Sequence, residues 1–233
     1  RAYDPAFNYE TAVLIFDGLK KMYGEGETAI YYIMVGNENY AMAEMPEGSE
    51  EGIVKGMYRF QSRDVKNAKG RVQLFGSGAI LNGVLKAQEI LADQYKVASD
   101  VWSVTSYTQL RREADDVRQW NVQHPQEKPR VSYLEETLNG VEGPFISASD
   151  YVMALGEQLT PWVPGRYRVL GTDGMGRSET REALRRHFGV DAESVTFAAL
   201  SELADDGVFE TKDLVKAQKS LGLDPEQPNA LYE

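Results

Sequence analysis

Val72-Gln73-Leu74-Phe75, then Gly76-Ser77-Gly78, then apolar residues at Ile80, Leu81, Val84, Leu85, Ala87, Ile90 and Leu91 form the stretch that decides the fold. The first four residues read as a buried strand, the glycines as a tight turn, and the three- and four-residue spacing predicts a helix over 79–94. A glycine turn between strand and helix can present backbone N–H groups to an anion. The dinucleotide fingerprint, however, needs a third glycine where Leu81 stands, so turn formation is the simpler account.

The alternation continues downstream. Strands are expected at Val101–Thr105, Phe145–Ala148 and Tyr167–Leu170, and helices at 107–121, 131–138, 151–158, 180–188, 194–205 and 211–221. Strands alternating with helices imply an α/β domain, three-layer, with a mostly parallel sheet. Upstream, Ala12, Val13, Phe16, Leu19 and Met22 predict a helix over 8–23 that buries this face. Thr28–Val35 reads as a strand buried in a covered sheet. A short helix is expected over 49–59. Gln61–Gly70 is polar and without apolar period, which suggests a linker. The expected division is 1–56, a linker at 57–70, and a domain over 71–233.

The 233 residues are 42% hydrophobic and 26% charged, as in an ordinary soluble globular protein. A net charge of −11 disfavours nonspecific binding to nucleic acid or to an anionic membrane. No apolar run approaches the roughly 18 residues of a membrane span. The absence of Cys excludes a cysteine nucleophile within this sequence and fits a reducing compartment. No signal peptide is expected, and a first residue of Arg suggests a piece of a longer chain, with chemistry upstream.

Charge is uneven. Residues 161–190 hold six arginines against three carboxylates. Arg177, Arg181, Arg185 and Arg186 are the candidate anion or partner contacts, because guanidinium forks grip carboxylates and phosphates. Pairing with Glu179 and Glu182 along a surface helix is the plainer expectation. Gly171–Ser178 is glycine-rich but lacks the Lys of a phosphate-binding loop, and Ser178, Glu179 or Thr180 could cap the next helix. His124 and His187 have no metal-ligand spacing, so zinc is not expected. Glu38, between Asn37 and Asn39 after a strand, is the best-placed isolated carboxylate, and a satisfied structural role suits it best.

Several stretches together resemble one family, the homodimeric bacterial pyruvate dehydrogenase decarboxylases among the transketolase-like thiamine-diphosphate enzymes. They are Tyr3-Asp4-Pro5-Ala6-Phe7, Asn37-Glu38-Asn39-Tyr40, Met45-Pro46-Glu47-Gly48, Gly56-Met57-Tyr58, Val72–Gly78, Ser103-Val104-Thr105-Ser106, Trp120-Asn121 with His124-Pro125, Tyr167–Gly174 with Gly176-Arg177-Ser178, and His187-Phe188. The resemblance covers nearly the whole chain, with a slightly longer linker at Val65–Lys69. It implies that 1–56 is the tail of a thiamine pyrimidine-binding domain and that a transketolase C-terminal-like domain follows. It implies thiamine diphosphate and magnesium bound between subunits of a homodimer, decarboxylation of pyruvate, and reductive acetylation of the lipoyl group of a partner acyltransferase. It further implies a bacterial cytoplasmic setting. The family's catalytic, cofactor-binding and metal residues are expected upstream of Tyr3, so none is assigned here. The segment is expected to act as scaffold and dimer interface, with a large apolar face, inactive without the remainder of its own chain. Two alternatives stand beside this: a noncatalytic anion- or partner-binding assembly module built on Arg177–Arg186, and a transketolase-type enzyme acting on sugar phosphates.

Overall fold

The structure, a computed structural model, describes residues 1–232. Strand β4 (Gly70–Gly76) sits at the centre of a five-stranded sheet of order β3-β5-β4-β6-β7. Its neighbours β5 (Val97–Ser103) and β6 (Phe145–Ala148) both run parallel to it, and β7 (Tyr167–Leu170) runs parallel to β6. β3 (Tyr58–Arg63) pairs antiparallel with β5 and closes one edge. The mostly parallel α/β sheet expected from the alternation is therefore present.

Side chains alternate across the sheet because strand geometry forces them to. Val72 and Leu74 of β4 enter one core with α3 (Leu81–Ile90) and α8 (Ala192–Asp205), joined by Ala217 of α9 (Thr211–Ser220). Phe75 enters the opposite core with Trp102, Leu110 of α4 (Tyr107–Gln123), Leu134 of α5 (Tyr133–Thr137) and Phe145. Helices on both faces give three layers. Gln73 is the polar exception on the second face and is fully partnered. It accepts from Trp102 Nε1 at 2.8 Å and donates to Asp100 and to the Glu142 carbonyl at 2.9 Å each. Burial pushes the Asp100 carboxyl up, but hydrogen bonds from Ser62 and Gln73 and the Arg71 guanidinium outweigh it and hold it below the usual range.

Local signals start the helices. Ser106 caps α4 by accepting from Gln109 N at 3.1 Å, and Asp191 caps α8 by accepting from Ser194 N at 2.9 Å. Thr180, rather than Ser178 or Glu179, caps α7 (Arg181–His187). Among the described residues no helix is long and apolar enough to cross a membrane.

Three expectations change at the N-terminal side. Residues 58–63 lie within the expected linker but form β3. They are polar because an edge strand leaves much of itself in water, so composition could not separate them from a linker. The chain makes α1 at Asn8–Leu19 and a wider turn at Lys20–Gly24, but the buried positions are Glu10, Leu14 and Gly18. Phe16 is 73% exposed and Leu19 47%, so the face chosen by periodicity points outward. Of Thr28–Val35, only β2 (Tyr32–Ile33) is a strand, paired with β1 (Ala2–Tyr3), and Ile30 and Val35 are exposed.

Glu10 joins this N-terminal part to the sheet. It is wholly buried, with Oε2 accepting from Ala6 N at 2.5 Å and Phe7 N at 3.0 Å. Oε1 accepts from Tyr58 Oη on β3 and Ser103 Oγ on β5, both at 2.6 Å. Truncation would leave these donors dry, at roughly 1–3 kcal/mol for each one that finds no water. Glu10→Ala is therefore expected to lose about 3 kcal/mol or more in urea unfolding, and a loss under about 1 kcal/mol would contradict this role.

Candidate functional site

The sheet contains one change of winding direction. From β4 the chain passes through α3 to β5 on one side; it then returns to β6 on the other side of β4. Such switch points open a crevice at the carboxyl ends of the strands, where α/β proteins place ligands. Here the crevice is bordered by Gly76-Ser77-Gly78, by Ser149-Asp150 after β6, and by the glycine-rich loop after β7.

The first part of the crevice is filled from within. Ser77 Oγ donates to Asp4 Oδ2 at 3.0 Å, and Gly78 N donates to the Asp4 carbonyl at 3.2 Å. Gly78 has φ of 51°, and a Cβ there would lie 2.5 Å from Asp4 Oδ2. Glycine is thus required both by backbone conformation and by the carboxylate pressed against it. An anion seeking this turn would meet a carboxylate in its place. Burial pushes the Asp4 carboxyl up to about 6; the Ser77 hydrogen bond opposes this, and Asp150 and Glu10 reinforce it.

The second part stays open. A cavity of about 410 Å³ lies between the Gly36-Asn37-Glu38 loop and α7. Glu38 binds Arg185 through both oxygens, at 3.0 Å to Nη1 and 2.5 Å to Nη2. Hydrogen bonding to Arg185 holds the Glu38 carboxyl below its usual range against a smaller opposing effect of burial. Arg181, one helical turn earlier, donates to Asn37 Oδ1 at 2.5 Å. Arg177 also lines the cavity. Arg186 does not: it turns to Asp191 at 2.6 Å and Glu193 at 3.3 Å, at the start of α8. The candidate set of four arginines therefore divides three to one. The partners of Arg181, Arg185 and Arg186 come from other elements, where pairing with Glu179 and Glu182 was expected.

The loop after β7 is fixed by the C-terminal tail. Gly174 has φ of 110°, and a Cβ there would meet the Ala230 carbonyl at 2.1 Å. Gln227 Nε2 donates to the last carbonyls of α7, at 2.9 Å for His187 and 3.3 Å for Arg186. These bonds satisfy groups that a helix end leaves open.

Sequence reasoning singled out Glu38 and the arginines but missed Asp4, Glu10 and Asp150. Asp4 precedes Pro5 and reads as a turn residue, and Glu10 sits among helix formers, so neither carries a local signal. Among the described residues no group of three His, Cys, Asp or Glu side chains could hold a metal ion.

A three-layer parallel domain with a switch-point crevice is the form of a transketolase-type terminal domain, and residues 56–191 match the family model "Transketolase-like TK C-terminal domain". The chain belongs to that family. Residues 1–43 match the middle domain of the pyruvate dehydrogenase E1 component. The chain is 49% identical over 231 residues to the pyruvate dehydrogenase E1 component of Cupriavidus necator, covering 99% of this chain and 26% of that protein. Identity to the Escherichia coli K12 component is also 49%, over 230 residues, again 26% of the relative. The chain thus spans about a quarter of the length of these relatives, and the resemblance read from its motifs is borne out. Among solved structures, a transketolase from Leishmania mexicana shares the fold with a TM-score of 0.56 at 18% identity, over 88% of this chain and 25% of that one. A split-gene transketolase chain, described as an inactive beta4 tetramer, gives 0.55 at 15% identity, over 87% of this chain and 56% of its own.

Asp4 provides a test of the filled turn. Its carboxyl binds a proton more tightly when folded, near 6, than at its ordinary 3.8. Folding stability from this group is fully present below pH 4 and falls as pH rises to about 6. Asp4→Asn is expected to flatten the stability profile between pH 4 and 6, measured by urea unfolding at stepped pH. An unchanged slope would contradict the assignment.

Proposed function

We propose that this chain is the C-terminal portion of a pyruvate dehydrogenase E1 component. The whole protein uses thiamine diphosphate and magnesium to decarboxylate pyruvate and to acetylate, reductively, the lipoyl group of a partner acyltransferase. The observation that carries the reading is 49% identity sustained along 99% of the chain. The transketolases share the fold at 15–18% identity, which gives the sugar-phosphate alternative no comparable support. A bacterial cytoplasmic setting for the whole protein follows from the same family reading.

Within that protein the segment acts as scaffold and dimer contact. Thiamine diphosphate, when bound, supplies the electron sink for decarboxylation. This chain's own residues fix the shape of the scaffold: Glu10 locks α1 to the sheet, and Arg185 fixes the Glu38 loop. Ile15, Phe16, Leu19 and Tyr23 form an outward apolar stripe on α1 and its last turn, and a two-stranded β1–β2 sheet lies nearby with Ile30 and Val35 exposed. Contiguous apolar surface of this kind suits contact with further polypeptide, from the same chain or its dimer partner.

The full-length protein is expected to show lipoyl acetylation dependent on both pyruvate and thiamine diphosphate, and this segment alone none. A well-folded full-length protein lacking that activity would overturn the reading. In the full-length protein Phe16→Asp is expected to cost about 2 kcal/mol or more, because it places a charge in a covered apolar contact. Val122→Asp, at a comparably exposed side chain, is expected to stay within about 0.5 kcal/mol. Equal urea midpoints for the two variants would show that the α1 stripe is not covered.

A further inference from the structure

We propose that the cavity between the β1–β2 pair and the segments that follow β4, β5 and β6 is a binding site for a small alkylated ammonium ion. This goes beyond the role proposed above. Its test reads binding rather than decarboxylation, so either reading can fail without the other.

The site adjoins the filled glycine turn. Asp4 keeps anions out of that turn, and the same residue lines a separate cavity of about 290 Å³. That volume is at the small end of ligand sites, which run from roughly 300 to 1,000 Å³. Tyr32 and Met34 line it from the β2 side, Tyr107 from the start of α4, and Tyr151 and Leu155 from the chain after β6. These groups converge on one space. Tyr151 Oη lies 3.1 Å from Met34 Sδ. Burial pushes the Tyr151 phenol up, and the fields of Asp4, Asp150, Tyr32 and Tyr107 reinforce it.

The lining sets the sign of the ligand. Among the described residues that border the cavity, Asp4 is the one acidic side chain, and Lys, Arg and His are absent. The Asp4 carboxyl accepts from Ser77 Oγ at 3.0 Å and from the Tyr151 phenol, both neutral groups. Such donors share a negative charge without cancelling it. The neighbouring charges that act on Asp4, Asp150 and Glu10, are themselves acidic. Asp150 answers to Arg185, so the selection rests on Asp4 alone. Hydration then sets the body of the ligand. A compact cation would surrender strong hydration for a single carboxylate, which is costly. Alkyl groups weaken that hydration and offer apolar surface to Met34, Leu155 and the tyrosines, whose ring faces also attract cations.

Choline and neohexanol, its neutral carbon isostere, separate charge from shape. Both are titrated into the full-length protein by ligand-observed NMR at about pH 8, where Asp4, pushed by burial to about 6, is ionised. Choline is expected to bind saturably and at least tenfold more tightly than neohexanol. Asp4→Asn is expected to weaken choline about tenfold while leaving neohexanol within about twofold. Tyr32 is 65% exposed, so Tyr32→Leu tests the site even if Asp4→Asn does not fold. It is expected to weaken choline about threefold through loss of a ring face. The absence of saturable choline binding would overturn the proposal, as would equal affinity for the two probes. So would Asp4→Asn weakening both probes alike or neither, or, where that variant does not fold, unchanged choline binding in Tyr32→Leu.

Discussion

A buried carboxylate with four donors holds the two parts of this chain in one arrangement. Glu10 has no exposed surface, and burial pushes its carboxyl up despite the hydrogen bonds from Ser103, Tyr58, Phe7 and Ala6. Transfer of a carboxylate out of water is costly, so it persists only where donors replace the lost hydration. Here two donors are backbone groups at the start of α1 and two are hydroxyls on β3 and β5. The constraint therefore acts in both directions: α1 cannot roll, and the edge strand β3 cannot slip, without exposing unsatisfied donors. Residues 1–7 are carried across the carboxyl end of the sheet as a consequence. Asp4 then reaches the glycine turn, and an anion-binding geometry becomes an internal joint.

Much of the sheet was legible because its residues obey local rules. Val72, Leu74 and Phe75 are apolar, interrupted only by the internally hydrogen-bonded Gln73, since β4 is central and covered on both faces. Helix α3 beside it repeats its apolar residues at three and four positions, whereas the caps Ser106 and Asp191 emerge only in the structure, and α8 starts at Ala192 rather than at the expected 194. The errors fall where tertiary contact overrides that logic. On α1 the largest apolar residues lie outside, while a Glu, a Leu and a Gly face inward. Periodicity weighs side chains by hydrophobicity and cannot foresee that a carboxylate will be the anchoring group. β3 was hidden for the opposite reason: a half-wet edge strand has the composition of a linker.

The site was legible by halves. Six arginines within thirty residues could be read as an anion-seeking region, but their division could not. Arg181 and Arg185 are one helical turn apart and share a face, whereas Arg186 is rotated about 100° from Arg185 and reaches α8 instead. The partners at Asn37 and Glu38 lie more than 140 positions away in sequence and meet α7 only through the fold. No window of sequence contains that contact. The family resemblance supplied the architecture but said nothing of the pairing, because it mapped motifs rather than distances.

The carboxyl end of the sheet thus carries two opposite solutions to one physical problem. A switch point exposes backbone donors and glycine turns that something must satisfy. Near β4 the satisfaction is internal and permanent, because Asp4 is delivered by a segment anchored through Glu10. Near β7 the loop is tied down by Ala230 and Gln227 from the tail, while the space in front of α7 is left between opposed charges. Closing the first region and leaving the second open follows from the positions of the two chain ends relative to the sheet. It also places an open part of the crevice beside the Glu38 loop.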